Sequence, residues 1–261
     1  MGHYLYCLLA PPARGTLAQM QAAAEGVTSL GGPVALSAVE GMLLVHCPCD
    51  LTEIVQTRRN MLAHTRMLEA LMPLATCLPV RFGVIAQDLA EVARMIHERR
   101  AELVDHAQRL LDHVEVGLRV RFPRDKALAQ VMAETPDFVA ERDRLMGQGA
   151  GAHFARADFG RRLAEALDER RTRAQKRLLA ALRPHARDHV LRAPEEDVEV
   201  LRAEFLIPAA GVDAFSRTAH DLAGALGFAG AAEPELQVIG PAPPYHFLSL
   251  SLAFDNTSEA A

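Results

Sequence analysis

No apolar run in the 261-residue chain approaches the roughly 18 uninterrupted residues that a membrane-spanning helix needs. The opening Met1-Gly2-His3-Tyr4 lacks the basic region and long apolar stretch of a secretory signal, so the expected compartment is the cytoplasm. Cysteine is scarce, at four, and in that compartment the four are expected to be reduced thiols. Positive charge is not in excess: the net charge is −5 and the pI about 6.1, which argues against a broad nucleic-acid footprint. Tryptophan is absent, and aromatics make up only 5% of the chain. Neither Gly-x-Ser-x-Gly nor Gly-x-x-x-x-Gly-Lys occurs, so the nucleophile elbow and the phosphate loop are both missing. No period of about 20 to 50 residues repeats, which removes the solenoid architectures. What remains is 50% hydrophobic and 23% charged, a normal composition for a globular protein with a sizeable core. The length suits two ordinary domains or one large one.

The pattern along the chain predicts a mixed architecture. Tyr4 to Leu9 is apolar on both faces, as in a central strand. Thr16 can cap a short helix carrying Leu17, Met20, Ala23 and Ala24. Val34 to Val39 and Met42 to His46 read as a hairpin joined at Glu40-Gly41. Asp50 with Glu53 resembles a capping box, predicting a long helix whose inward face is Leu51, Ile54, Val55, Met61, Leu62, Leu68 and Met72. Leu78, Val80 and Phe82 then alternate with Pro79 and Arg81, the period of a strand with one buried face. Proline cannot donate to a ladder, so this strand belongs at a sheet edge. The order β-α-β-β-α-β over residues 4 to 82 is that of a ferredoxin-like unit.

Beyond it, one helix is expected from about Asp88 to Leu111, then a strand with Val114, Val116, Leu118, Val120 and Phe122 on one face. Residues 123–152 read as an insertion of two short helical pieces, followed by a long charged helix from Phe154 to Leu182. The last segment reads as β-α-β-β, with strands at Leu201 to Ile207, Leu236 to Ile239 and His246 to Phe254, and a helix from Asp213 to Leu226. The expected fold class is therefore α+β in two domains. Residues 1–111 form a ferredoxin-like N-terminal unit. Residues 112–254 form a C-terminal α+β unit, modified ferredoxin-like, with a long helix and a helical insertion at 123–195. Residues 255–261 are expected to be a flexible tail.

Few residues point to chemistry. Cys47-Pro-Cys49 stands beside His46, but Cys7 and Cys77 are isolated, so the spacing is not that of a zinc ribbon. Cys7 and Cys77 would face each other if their strands are neighbours. His185 and His189, four apart, could share a helical face, though two ligands lack a third. The arginine-rich stretch from Arg161 to Arg177 is interleaved with Glu165, Asp168 and Glu169, the pattern of a solvated helix face. No metal, no organic cofactor and no nucleic-acid partner are expected. Arg81 is the charge of interest: it sits in an apolar run, either as an ion pair or edge gatekeeper, or as a contact for a partner. Tyr245 and Phe247, after a stiff proline-rich approach, are either core anchors or a recognition patch. Arg81, Phe82, Tyr245 and Phe247 are the candidate partner-binding residues.

Several stretches together resemble the gas vesicle F/L proteins. They are Tyr4-Leu5-Tyr6, then His64, Glu69 and Leu71 ahead of Leu78-Pro79-Val80-Arg81-Phe82-Gly83, then Val114-Glu115-Val116 and Ala203-Glu204-Phe205-Leu206-Ile207. The run Gly240-Pro241-Ala242-Pro243-Pro244-Tyr245-His246-Phe247 completes the series, with Ala242 where the family usually has tryptophan. The resemblance touches nearly the whole chain in the right order. It implies a two-domain α+β accessory or minor structural protein of gas vesicles, not an enzyme, located with the vesicles in the cytoplasm. Its implied partners are the small hydrophobic shell protein and other gas vesicle accessory proteins. A shell protein that faces gas is very apolar before assembly, so a partner that covers it makes physical sense. The alternatives from the residues alone are a small-ligand regulatory protein with ferredoxin-like domains, or an enzyme. Each would need a Gly-rich turn at a pocket or converging reactive side chains, and the sequence shows neither.

Overall fold

A computed structural model describes residues 2–50, 53–148 and 150–248. It is a mixed helix-and-sheet protein of the α+β class, divided into two compact units. The first holds the chain up to Glu115 and from Pro241 onward; the second is Val116–Gly240. No helix among the described residues is long and apolar enough to cross a membrane.

In the first unit, β1 (Gly2–Ala10) is followed by α1 (Leu17–Glu25), β2 (Ala35–Val39), β3 (Met42–Cys49), α2 (Arg58–Leu71), β4 (Thr76–Pro79) and β5 (Ile85–Ala86). Two further helices follow, α3 (Leu89–Glu98) and α4 (Arg100–Leu110). The sheet order is β2-β3-β1-β4, with β5 also on β1, and all of these pairings are antiparallel. β1 is interior to the sheet, and both of its faces are covered: Tyr4 through Ala10 are all buried. Thr16 caps α1 in a reciprocal capping box with Gln19. Glu40 and Gly41 both take positive φ, 49° and 81°, the geometry of a tight two-residue hairpin turn.

β4 lies at the end of this sheet, paired to β1 from Cys7↔Pro79 to Ala10↔Thr76. Val80 still donates its N–H to the Tyr6 carbonyl, 3.0 Å away. The chain then leaves the ladder and returns at β5, where His3 pairs with Ala86. The expected strand through Phe82 is thus cut short by a turn at Gly83, whose φ of 91° few other residues adopt. That excursion carries Arg81 into solvent and leaves Phe82 half-buried.

Three other expectations for this unit are corrected. The helix expected from Asp50 begins at Arg58, capped by the Thr57 hydroxyl; Leu51 lies outside the described residues. Its buried face is His64, Met67, Leu68 and Leu71, while Val55, Met61 and Leu62 are exposed. Of the expected inward face, Ile54 and Leu68 are buried and Met72 packs against the core. The single helix expected over 88–111 is broken at Arg99 (φ −103°, ψ 14°) into α3 and α4.

The second unit runs through β6 (His113–Arg121), α5 (Arg124–Glu134), α6 (Pro136–Met146), α7 (His153–Leu182), β7 (Asp188–Leu191), β8 (Glu199–Pro208), α8 (Val212–Gly224) and β9 (Glu235–Ala242). Its sheet order is β7-β8-β6-β9. α7 packs against β8, α5, α6 and α8, burying Leu167, Ala174, Leu178 and Leu182. Phe205 and Phe215 meet at 5.0 Å between ring centres, and Phe122 and Phe228 at 5.2 Å. His189 stands on β7 stacked on Phe205, and His185 sits in a short 3-10 turn, so the two do not share a helical face. The segment expected as an insertion to residue 195 therefore ends in a strand of the sheet.

The chain re-enters the first unit at Pro241, where the expected division kept it in the C-terminal domain to residue 254. Pro241, Pro243 and Pro244 stiffen the approach, and Tyr245–Phe247 form a 3-10 turn rather than the start of a strand. Tyr245 packs against the core of the first unit. Leu250, Leu252 and Phe254 of the expected last strand, and the tail at 255–261, lie outside the described residues.

Candidate functional site

The site grows from β1. Tyr4 and Tyr6 lie two residues apart on one face of that strand, with ring centres 4.9 Å apart and near edge-to-face. α2 lowers His64 onto them: its ring stacks on Tyr6 at 5.7 Å and meets Tyr4 at 5.7 Å and Phe82 at 5.8 Å. Tyr245, arriving from the far end of the sequence, adds a fourth ring 6.3 Å from His64.

Hydrogen bonding fixes the protonation of this cluster. His64 Nε2 lies 3.1 Å from the Val80 carbonyl, which only accepts, so Nε2 carries the proton. Nδ1 of the neutral ring is then the acceptor, and the Tyr4 hydroxyl donates to it at 2.8 Å. Tyr4 in turn accepts the Gly83 N–H at 3.3 Å, which ties the turn after β4 to the cluster. Burial holds His64 neutral, pushing its pKa down to about 4 against a smaller opposing pull from the Val80 carbonyl. Burial likewise raises the Tyr4 and Tyr6 hydroxyls above the ordinary tyrosine range. Tyr6 accepts the Leu30 N–H at 2.8 Å; Ser29 gives its proton to the Gly32 carbonyl and so accepts from Tyr6. The cluster therefore pins the loop between α1 and β2 as well.

Above the cluster is an open cleft of about 330 Å³. Its walls are Met61, His64 and Thr65 of α2, Pro79, Arg81 and Phe82 of the β4 edge, and Tyr245 with Leu248. Met61 is 43% exposed there. Arg81 stands in solvent with no hydrogen bond or ion pair among the described residues. The Tyr245 hydroxyl is buried beside Thr65 without a hydrogen bond of normal geometry, and burial raises its pKa beyond the ordinary range. Of the four residues singled out in the sequence, the fold brings Arg81, Phe82 and Tyr245 to this one cleft. Phe247 is only 4% exposed and does not line it. Sequence reasoning missed Met61, Thr65 and Leu248. It quoted His64 only as part of a motif; the available signal was a histidine in phase with Met67, Leu68 and Leu71. The four cysteines are buried free thiols. Register puts Cys7 and Cys77 diagonally across β1 and β4, with the Cys7 thiol pushed up by burial and by Cys77.

With both ring nitrogens of His64 committed, this arrangement offers an apolar wall and one cation at its rim. That can bury an apolar side chain and pair an anion beside it. A family model described as gas vesicle synthesis protein GvpL/GvpF matches residues 2–249, and the chain belongs to that family. It is 26% identical over 198 residues to gas vesicle protein F of Streptomyces sp. (strain CB03234), covering 73% of this chain and 78% of that protein. It is 24% identical over 179 residues to gas vesicle protein F of Dolichospermum flosaquae, covering 67% and 73%. The crystal structure of GvpF from Anabaena sp. PCC7120 shares the fold at a TM-score of 0.78, with 20% identity and 96% and 99% of the two chains covered. That of GvpF from Microcystis aeruginosa shares it at 0.71, with 20% identity and 94% and 98% covered.

Proposed function

We propose that the protein takes part in gas vesicle formation by binding the small, hydrophobic shell protein, without catalysing a reaction, in the compartment where vesicles assemble. The observation that carries this reading is the cleft at the β4 edge, where Met61, Phe82 and Leu248 meet beside an unpaired Arg81 in a chain of the GvpL/GvpF family. The first unit's element order and its strand order, β4-β1-β3-β2 when taken from the edge, support a ferredoxin-like reading of that unit. Among the described residues β4 pairs with β1 alone, and Pro79 with the exposed Arg81 discourages self-pairing on its other side while leaving a chosen partner to be met beside it. Other gas vesicle accessory proteins are partners of the same kind.

Apolar burial dominates this contact, so salt weakens it little. The test is co-purification of the shell protein with wild-type protein, Phe82→Ala and Arg81→Glu, at low and moderate salt. The expected result is retention by wild type at both salts and a loss of about tenfold with each variant, at unchanged far-ultraviolet circular dichroism. If Arg81→Glu lowers the melting temperature and leaves binding intact, Arg81 is structural and the cleft is not the contact. No enrichment of shell protein over an α+β control of similar charge refutes the reading.

A further inference from the structure

The exposed face of α2 carries a second surface, distinct from the sheet-edge cleft. At 3.6 residues per turn, positions 58, 59, 62 and 66 fall within about 100° of arc, all of them exposed. Leu62 is 43% exposed at the centre of that arc. Arg58, Arg59 and Arg66 surround it and make no hydrogen bond or ion pair among the described residues. The arginines of α7 behave differently: those at 161, 162, 170, 171 and 173 each reach an Asp or Glu. Exposed Glu69 falls in the same arc, so the face sets three arginines against one carboxylate and is locally positive in a chain of net charge −5.

Arg59 and Arg66 also line a cleft of about 610 Å³ between α2 and the loop after α1, with Leu30, Val55 and Ala63 as apolar wall and Glu53 at the rim. The loop side of the cleft is fixed in advance, because Leu30 N–H is held by Tyr6 and Gly32 N–H by the Pro48 carbonyl. Ala63 lies between the two arginines on the helix, so the small side chain opens a saddle where another backbone can approach. Arg59 and Arg66 are seven residues apart, about 10 Å along the axis, the spacing of two turns on a facing helix.

We propose that this face docks an acidic amphipathic helix of a partner protein. The apolar stripe of that helix covers Leu62, Val55 and Leu30, and carboxylates two turns apart meet Arg59 and Arg66. Charge complementarity selects this occupant. A nucleic-acid strand would find no aromatic platform on the face, and a flat bilayer would not fill its concave wall. The inference does not rest on the shell-protein reading, since it uses other residues and predicts the opposite salt response.

The experiment is fluorescence anisotropy of the full chain with a labelled synthetic amphipathic peptide long enough to hold a helix, carrying glutamates seven apart beside a leucine stripe. The expected result is binding at low salt that weakens steeply as salt rises. A Lys-for-Glu version of the peptide, or the double variant Arg59→Glu/Arg66→Glu with unchanged circular dichroism, should weaken binding about tenfold. Arg81→Glu should bind the peptide as wild type does. Should the double reversal unfold the protein, Arg59→Gln and Arg66→Gln singly serve in its place. Equal binding of the acidic and basic peptides, wild-type binding by the variants, or stronger binding of phosphatidylserine vesicles or single-stranded DNA than of the acidic peptide would overturn the proposal.

Discussion

His64 makes the stability of the first unit depend on pH in a window that can be worked out. Its ring is 2% exposed and neutral, donating to the Val80 carbonyl and accepting from Tyr4. In the unfolded chain a histidine takes up a proton near its ordinary value of 6.5, whereas the folded ring resists until about 4. Between those values the unfolded state binds more protons, so acid favours unfolding there. The contribution is complete above pH 6.5 and is lost as the pH falls toward 4. About 2.5 units at about 1.4 kcal/mol each amounts to roughly 3 kcal/mol. Urea unfolding of wild type and His64→Gln at pH 7, 5.5 and 4.5 measures it, because every other titrating group is common to both. The stability gap between wild type and variant should be widest at pH 7 and narrow by about 3 kcal/mol toward pH 4. A gap that stays constant across that range would show that the ring is not held neutral, and the reasoning about the tautomer would fall with it.

Two further substitutions test the frame around the sites. Gly31→Ala would drive a Cβ into the Pro48 carbonyl oxygen, so backbone must shift; thermal melting should report a loss of about 1–3 kcal/mol. Arg170 donates to the Phe228 carbonyl at 2.7 Å, also bonds the Gly227 carbonyl and Glu134, and covers the Phe228 ring. Arg170→Lys keeps the charge but not the planar fork, so it should still cost about 1–2 kcal/mol in urea unfolding, and full retention of stability would refute the fork's role.

The local elements were legible because they rest on short-range rules. A run apolar on both faces gave β1, alternation gave β6 and β8, Thr16 gave the start of α1, and Glu40-Gly41 gave the hairpin. β7 was not legible, since Asp188–Leu191 is a short half-buried strand that forms only because β8 offers it a ladder. The break at Arg99 was hidden too, because the apolar spacing on its two sides stays nearly in phase. The start of α2 was misplaced because two capping patterns, Asp50 with Glu53 and Thr57 ahead of Asn60, stand seven residues apart, and the folded chain uses the second.

By itself the sequence determined the α+β class, the edge position of the Pro79 strand and the family, because these depend on residue order and spacing. Tertiary structure decided which side chains meet. Arg81 and Phe82 leave the sheet because Gly83 turns the chain there, and Tyr245 reaches His64 across 180 intervening positions because the proline-rich segment returns to the first unit. A cleft between chain segments so far apart, and a histidine kept neutral by burial and oriented by two partners, are products of packing, desolvation and long-range hydrogen bonds, none of which a local pattern encodes.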